Sequence, residues 1–169
     1  MKVPANPAPL VASVFFGATR VALGGLWIHE GIFKYTAHFG RADILLVVDS
    51  AKSNSRVPEY FTMFLGPVLG RLPGLFGVAI PLLETALGVA LVLGVLSLPA
   101  ALASLLTLMT YWSSDQLIAQ YPIMGVLSAV VITWSAWAAR LSATTLIVAA
   151  LNRRQIAAQL VSGPLRRWA

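Results

Sequence analysis

Residues 73–96 read PGLFGVAIPLLETALGVALVLGVL, and the only ionisable side chain among them is that of Glu84. A helix needs about 20 predominantly apolar residues to cross the hydrocarbon core of a membrane. This stretch is long enough, although Pro81 and Glu84 interrupt its interior. It therefore predicts a membrane-spanning helix.

The composition of the whole chain supports the same class of protein. Of its 169 residues, 58% are hydrophobic and 11% are charged, and the mean hydropathy is +0.80. A soluble domain carries about 25% charged residues. We predict an all-α fold, an integral membrane four-helix bundle that forms a single membrane domain over residues 1–169.

Three further apolar stretches complete the predicted bundle. The four spans are expected at about 10–33, 73–96, 100–117 and 123–139. A tight hairpin at residues 97–99 joins the second and third spans, and Pro99 suits the first turn of a helix. An even number of spans places both termini on one side of the membrane.

The connections between the spans differ greatly in length. A long outer loop, residues 35–70, separates the first two spans, and Ala42–Ala51 within it predicts a short amphipathic helix. The apolar stretch Pro58–Gly70 is too short to cross a membrane and predicts an interfacial or re-entrant segment. After the fourth span, Ser142 can cap a new helix, and residues 143–161 predict a C-terminal amphipathic helix on the membrane surface.

The charged residues indicate a lipid partner and no nucleic acid. The net charge is +6, but the basic residues flank apolar spans, where they would meet anionic headgroups. Six of them fall on the side of the termini and five on the other. This small excess favours cytoplasmic termini in a multi-pass protein of a bacterial-type plasma membrane.

The scarcity of metal-binding side chains restricts the chemistry. The chain has no cysteine and two histidines, His29 and His38. Disulfides, iron–sulfur clusters and covalent haem are therefore excluded, and a haem held by two histidines is not expected. We also expect no metal site. The one cofactor that stays open is a non-covalently bound quinone.

Two charges fall deep inside the predicted spans, and we predict that they form a buried ion pair. Arg20 lies about ten residues into the first span, and Glu84 lies about eleven into the second. An isolated charge at such a depth costs at least about 2.5–3.5 kcal/mol. The pair could simply hold the helices together, or it could serve as a proton relay or the wall of a ligand pocket.

A second polar group is predicted near the outer ends of the first and third spans. Glu30 and Lys34 are four residues apart and share a helix face, which predicts an ion pair on the helix surface. His29 could exchange protons with a bound quinone or stay at the headgroup level. Asp115 should lie at the same level, so His29, Glu30 and Asp115 are the candidate catalytic residues.

Aromatic side chains surround this group in the sequence. Trp27 precedes it on the first span, and Tyr111 and Trp112 precede Asp115 on the third. Together with Lys34, these three aromatic residues are the candidate lining of a quinone or substrate pocket. The same aromatic residues could equally serve packing or an interface belt.

Three motifs, in order, resemble the DoxX/DoxD-like family of small four-helix membrane proteins. They are Arg20–Lys34 (RVALGGLWIHEGIFK), Glu84–Gly94 (ETALGVALVLG) and Ala139–Ala143 (ARLSA). The last departs from the family ending, in which an acid follows two residues after the serine, because this chain has Ala143 and Thr144 there. The form with Glu30 before Gly31 is similar to the DoxD-like branch.

The resemblance implies one function, and two alternative functions stay open. The DoxD-like branch is associated with the membrane subunit of a thiosulfate:quinone oxidoreductase, which predicts contact with quinone and docking of redox partner subunits. The first alternative is a non-catalytic accessory or anchoring subunit, whose helices would pack closely through small residues. The second is a small-solute carrier. The small residues in question are Gly17, Gly24, Gly25, Gly88 and Gly94.

Overall fold

The computed structural model of the chain describes residues 8–152. Within that range all regular secondary structure is helical and no strand occurs, which confirms the all-α class. The tail beyond residue 152, including the rest of the predicted amphipathic helix, lies outside the described residues. The helices are α1 (Ala8–Thr36), α2 (Arg41–Ser53), a π-helix (Phe61–Leu65), α3 (Gly66–Arg71), α4 (Pro73–Leu93), α5 (Ser97–Ser113), α6 (Tyr121–Thr133), α7 (Ser135–Ala138) and α8 (Ala143–Asn152).

Two of these helices are long and apolar enough to cross a membrane. They are α1, over Pro9–Thr36, and α4, over Pro73–Leu93. At 1.5 Å per residue, α1 is about 43 Å long and α4 about 31 Å. Helix α6 is apolar but shorter. It ends at a break at Trp134, and α7 follows directly.

Glycine ends α4 earlier than the sequence predicts. Gly94 follows the last helical residue with a φ of 72°, the left-handed region that glycine adopts without steric cost. Its N–H donates to the carbonyls of Ala90 and Leu91. The hairpin therefore lies at residues 94–96, and α5 begins at Ser97, with Pro99 in its first turn.

Glycines also set how α1 and α4 pack together. A Cβ on Gly24 would lie 2.8 Å from the Gly88 carbonyl oxygen, and a Cβ on Gly88 would lie 2.7 Å from the backbone nitrogen of Ile28. Gly31 similarly faces the backbone of Pro81 and Thr85. The two backbones approach closely along these positions, which fixes the register of the helix pair.

The other three predicted glycines do not bring the backbones of α1 and α4 together. A Cβ on Gly17 or Gly25 would meet nothing within 4 Å, so neither glycine is needed for close packing. Gly94 has the Arg20 side chain beside it, and its main role is the left-handed cap. Of the five predicted glycines, Gly24 and Gly88 therefore carry the helix contact.

A core forms where α1 also contacts α6 and α7, and where α5 packs on α4 and α6. Each helix contributes residues from one face. The buried members are Leu23, Trp27, Leu87, Leu91, Ala100, Ala101, Leu108, Tyr121, Met124, Val131 and Ala138. By contrast, α4 also has a face of exposed apolar residues, among them Leu75, Val78 and Leu82.

The connection between α1 and α4 is folded. The predicted amphipathic helix is present as α2, which buries Ile44, Val48 and Ala51. Its start crosses α4 closely, since a Cβ on Gly77 would lie 2.7 Å from the Gly40 backbone. The predicted apolar segment 58–70 contains the π-helix and α3.

Helix α8 begins where the sequence predicts a cap. The Thr145 backbone N–H donates to the Ser142 hydroxyl at 3.2 Å, so the predicted capping role of Ser142 is confirmed. Thr144 Oγ1 donates to the Gly94 carbonyl at 3.0 Å, which ties α8 to the hairpin.

Candidate functional site

Arg20 is fully buried among backbone carbonyls. Its guanidinium donates to the carbonyl oxygens of Ala138 (3.1 Å), Val92 (3.1 Å) and Leu141 (3.0 Å), and also to that of Leu91. These carbonyls lie at or just beyond the carboxyl ends of α4 and α7, where helical carbonyls lack partners and the helix dipole is negative. Arg20 therefore joins three segments of the fold.

The predicted ion pair between Arg20 and Glu84 is wrong, because the two side chains bind other groups. The glycine contacts place Gly24 beside Gly88 and Val92, so Arg20 is level with the end of α4. Glu84 precedes Val92 by eight residues, or about 12 Å. The sequence-based estimate assumed that both spans start at the same level, whereas α1 extends beyond the end of α4.

Glu84 instead pairs with Lys34, the last residue of the first motif. The Lys34 ammonium donates to Glu84 Oε1 at 2.6 Å, and the Tyr111 hydroxyl donates to the same oxygen at 2.6 Å. Glu84 is 0% exposed. Its second oxygen, Oε2, is buried and has no hydrogen-bond partner among the described residues.

Glu30 forms the other half of the cluster. The predicted pairing with Lys34 is present, with Lys34 Nζ 3.6 Å from Glu30 Oε2, but it is buried and does not lie on the helix surface. The Tyr121 hydroxyl donates to Oε2 at 3.4 Å, and the Gln120 amide donates to Oε1. One lysine therefore lies between two buried carboxylates, and we call Glu30, Lys34, Glu84 and Tyr111 the acid–lysine cluster.

Aromatic rings surround this cluster. The rings of Tyr111 and Tyr121 have centroids 5.4 Å apart, and Trp27 meets Tyr111 edge-on at 6.4 Å. Lys34 Nζ lies 5.4 Å from the Tyr111 centroid, within the range of a cation–π contact. Trp27, Lys34 and Tyr111 therefore come together as the sequence predicts.

Trp27 is held by a polar chain through the core. Its indole N–H donates to Ser104 Oγ at 2.7 Å, and Ser104 lies 2.8 Å from Ser128 Oγ. Ser128 in turn donates to the Met124 carbonyl. This chain links α1, α5 and α6 directly beside the cluster, and it fixes the orientation of the indole.

Three predicted site residues lie outside the cluster. The His29 side chain is 69% exposed, although its Nδ1 is 3.9 Å from Glu30 Oε1. Trp112 is 56% exposed and faces away from the core, so it does not line the cluster with Tyr111. Asp115 does not approach His29 or Glu30, contrary to the prediction.

Asp115 binds the connecting segment instead. It adopts a φ of 57° just beyond the end of α5, and its carboxylate accepts from Asn54 at 2.7 Å and Arg56 at 2.6 Å. Tyr60 and Ser113 share a hydrogen bond nearby. These contacts attach residues 54–60 to α5, and Asp115 consequently has a positional role here.

Sequence analysis did not identify Gln120 and Tyr121. A signal for Tyr121 exists, since the buried residues of α6 are Tyr121, Met124, Ser128 and Val131, at helical spacing. That pattern places the tyrosine on the inner face of its helix. Gln120 precedes α6 and has no comparable signal.

Two other features are separate from the cluster. A cavity of about 290 Å³ lies between α2, the π-helix and α3, with Lys52 and Arg71 among its lining residues. Over residues 8–152, no group of three His, Asp or Glu side chains is arranged to hold a metal ion.

Comparison of the chain with protein-family models, curated proteins and solved structures found no match.

Proposed function

We propose that this chain is a four-helix, multi-pass membrane protein and the membrane subunit of a quinone-linked oxidoreductase. The acid–lysine cluster would bind the polar head of the quinone. The single observation that carries the proposal is Glu84 Oε2, which is buried in an apolar helix beside Lys34 and Tyr111 and has no hydrogen-bond partner within residues 8–152. Ionisable groups inside membrane helices mark functional sites by default.

Several features support the membrane placement. Helices α1 and α4 are long enough to span, and α6 with α7 adds a further length of about 27 Å. Exposed aromatic residues lie near both ends: Trp134 stacks on Phe16, and Tyr35 lies at the other end of α1. The rise from Phe16 to Tyr35 is about 28 Å, close to the thickness of about 30 Å of a hydrocarbon core.

The residues of the cluster fit a quinone. Lys34 and the Tyr111 hydroxyl are donors suited to a ring carbonyl, and Glu84 Oε2 can donate to a ring carbonyl when protonated or accept from a ring hydroxyl when ionised. Tyr111, Tyr121 and Trp27 supply flat surfaces beside them. A bound quinone would supply two-electron redox chemistry coupled to two protons. This chain would orient the quinone and supply a proton donor for its reduction, while electrons would come from a partner subunit.

Quinone binding can be tested with a short-chain ubiquinone analogue and purified protein in nanodiscs. We expect saturable quenching of tryptophan fluorescence, because Trp27 adjoins Tyr111. Glu84→Gln should weaken binding roughly 10-fold, the effect of about 1.4 kcal/mol. The control is Glu59→Gln, an exposed acid outside the cluster. Equal affinity in wild type and Glu84→Gln would refute a quinone site at the cluster.

An accessory or anchoring subunit is the second candidate function. One observation favours it: the connecting segment exposes large apolar side chains, on which another subunit could dock. They are Tyr60, Met63, Leu65, Val68 and Leu72. Purification from native membrane separates the two candidate functions. If the chain is an anchor, a stoichiometric partner should be lost in Met63→Glu and retained in Glu84→Gln. If Met63→Glu loses the partner but still binds quinone, the chain performs both functions.

A further inference from the structure

We propose that the acid–lysine cluster is a proton-binding site and that Glu84 holds its proton at neutral pH. The proposal requires only that the cluster is buried, as the structure shows. It does not depend on a quinone being the ligand, so it can fail or stand independently of the proposed function.

The charges of the cluster do not balance without a proton. Two carboxylates, with side chains 3% and 0% exposed, share one lysine that is 13% exposed. With all three groups ionised, the cluster would carry one net negative charge away from water. A buried carboxyl group without compensation takes up a proton in preference to remaining charged.

The hydrogen bonds indicate which carboxyl group is neutral. Both oxygens of Glu30 have donors, from Gln120 on one side and from Lys34 and Tyr121 on the other. Such an environment stabilises an ionised carboxylate. Glu30 and Lys34 are then the ionised pair, and their charges cancel.

Glu84 differs from Glu30 in having one oxygen without a donor. Its Oε1 accepts from Lys34 and Tyr111, whereas Oε2 is buried and has no partner among the described residues. A proton taken up from water onto Oε2 removes the charge, and Oε1 can still accept both hydrogen bonds as a carbonyl oxygen. Ionisation would leave charge on an oxygen that nothing compensates.

Among residues 8–152, Lys34 is the one cation in contact with Glu84. Helix α1 presents Glu30 and Lys34 to Glu84, and α5 presents Tyr111. Helix α2 approaches α4 where the Arg41 backbone meets Gly77, about 10 Å along the helix from Glu84. Release of the proton would therefore require a ligand or a rearrangement that brings a positive charge or a donor to Oε2.

Infrared spectroscopy tests the proposal directly, because the chain has only six acidic residues. Purified protein without quinone, at neutral pH, should show one carboxylic acid C=O band that shifts in D₂O. The bands of the acids outside the cluster should be those of carboxylates. A wild-type spectrum without a protonated carboxyl band would overturn the proposal, whatever the variants do.

Three substitutions assign the band, and circular dichroism checks that each variant keeps its helices. The band should disappear in Glu84→Gln and persist in the control Glu59→Gln. It should also disappear in Glu30→Gln, because Lys34 then balances Glu84 alone. In Lys34→Met, which leaves two acids and no cation, the band should roughly double. Persistence of the full band in Glu84→Gln would place the proton elsewhere and contradict the proposal.

Discussion

Arg20 and Glu84 are both buried ionisable residues on neighbouring helices, yet they have opposite surroundings. Arg20 donates four hydrogen bonds to carbonyls at helix ends. Glu84 has one oxygen bound to Lys34 and Tyr111 and one oxygen without a partner in the part of the chain that the structure describes. A guanidinium whose three nitrogens all donate to carbonyls suits a structural role. A carboxyl oxygen without a donor suits ligand binding or proton exchange. We therefore assign a stabilising role to Arg20 and a chemical role to the acid–lysine cluster.

The largest effect on stability is expected from Arg20→Met. Without the guanidinium, carbonyls at the ends of α4 and α7 lose their donor in an apolar environment. We expect a loss of about 3–5 kcal/mol in unfolding free energy, as for other broken buried charge networks. Denaturant titration in detergent measures it. Lys52→Met is the control, because its exposed pair with Asp49 contributes about 0–1 kcal/mol.

The next effect on stability is expected from disturbing the close packing of α1 against α4. The adjacent residues Gly24 and Gly25 provide a matched pair of variants. Gly24→Ala would place a Cβ 2.8 Å from the Gly88 carbonyl and should cost about 1–3 kcal/mol. Gly25→Ala meets nothing and should be neutral or stabilising by about 0.5–1 kcal/mol. Thermal unfolding of the two variants compares them. Equal melting temperatures would contradict the register of α1 and α4.

Lys34→Met should give an effect of similar size at alkaline pH, but one that depends on pH. The two remaining carboxyl groups would be protonated in the folded protein but ionised in the unfolded chain. Because the folded state then binds more protons, stability should fall as pH rises. We expect a loss of about 1–3 kcal/mol at alkaline pH and less in acid. A loss that is constant with pH would show that Lys34 does not balance the carboxylates.

Asp115→Asn should have the smallest effect. Its partner Arg56 has a side chain that is 74% exposed, and such a pair contributes about 0–1 kcal/mol. Amide hydrogen exchange should quicken in residues 54–60 while α4 stays protected. Faster exchange in α4 as well would mean that Asp115 supports the cluster.

The helices could largely be predicted from the sequence, because hydropathy and turn residues mark them. Pro73 opens α4 and Ser142 caps α8, as predicted, whereas Gly94 ends α4 earlier than predicted. The pair of Glu30 and Lys34 also follows from helical spacing alone. Each of these features depends on neighbours in the chain.

Contacts between helices could not be predicted in this way. The partner of Glu84 depends on the register of α1 against α4, and that register is set where Gly24 meets Gly88. A register counted from the ends of the apolar stretches is wrong by about two helical turns. Asp115 was misplaced for a different reason, since the positive φ beyond α5 directs its carboxylate to Arg56.

The contrast between the two buried charges is tested most directly by thermal unfolding of Glu84→Gln, with and without the short-chain quinone. Wild type should melt at a higher temperature with quinone, because a ligand that binds the folded state stabilises it. Glu84→Gln should melt close to wild type without quinone and show a clearly smaller rise with it, because its affinity for quinone is about 10-fold lower. A variant that melts as low as Arg20→Met, or that shows the full rise with quinone, would contradict the account.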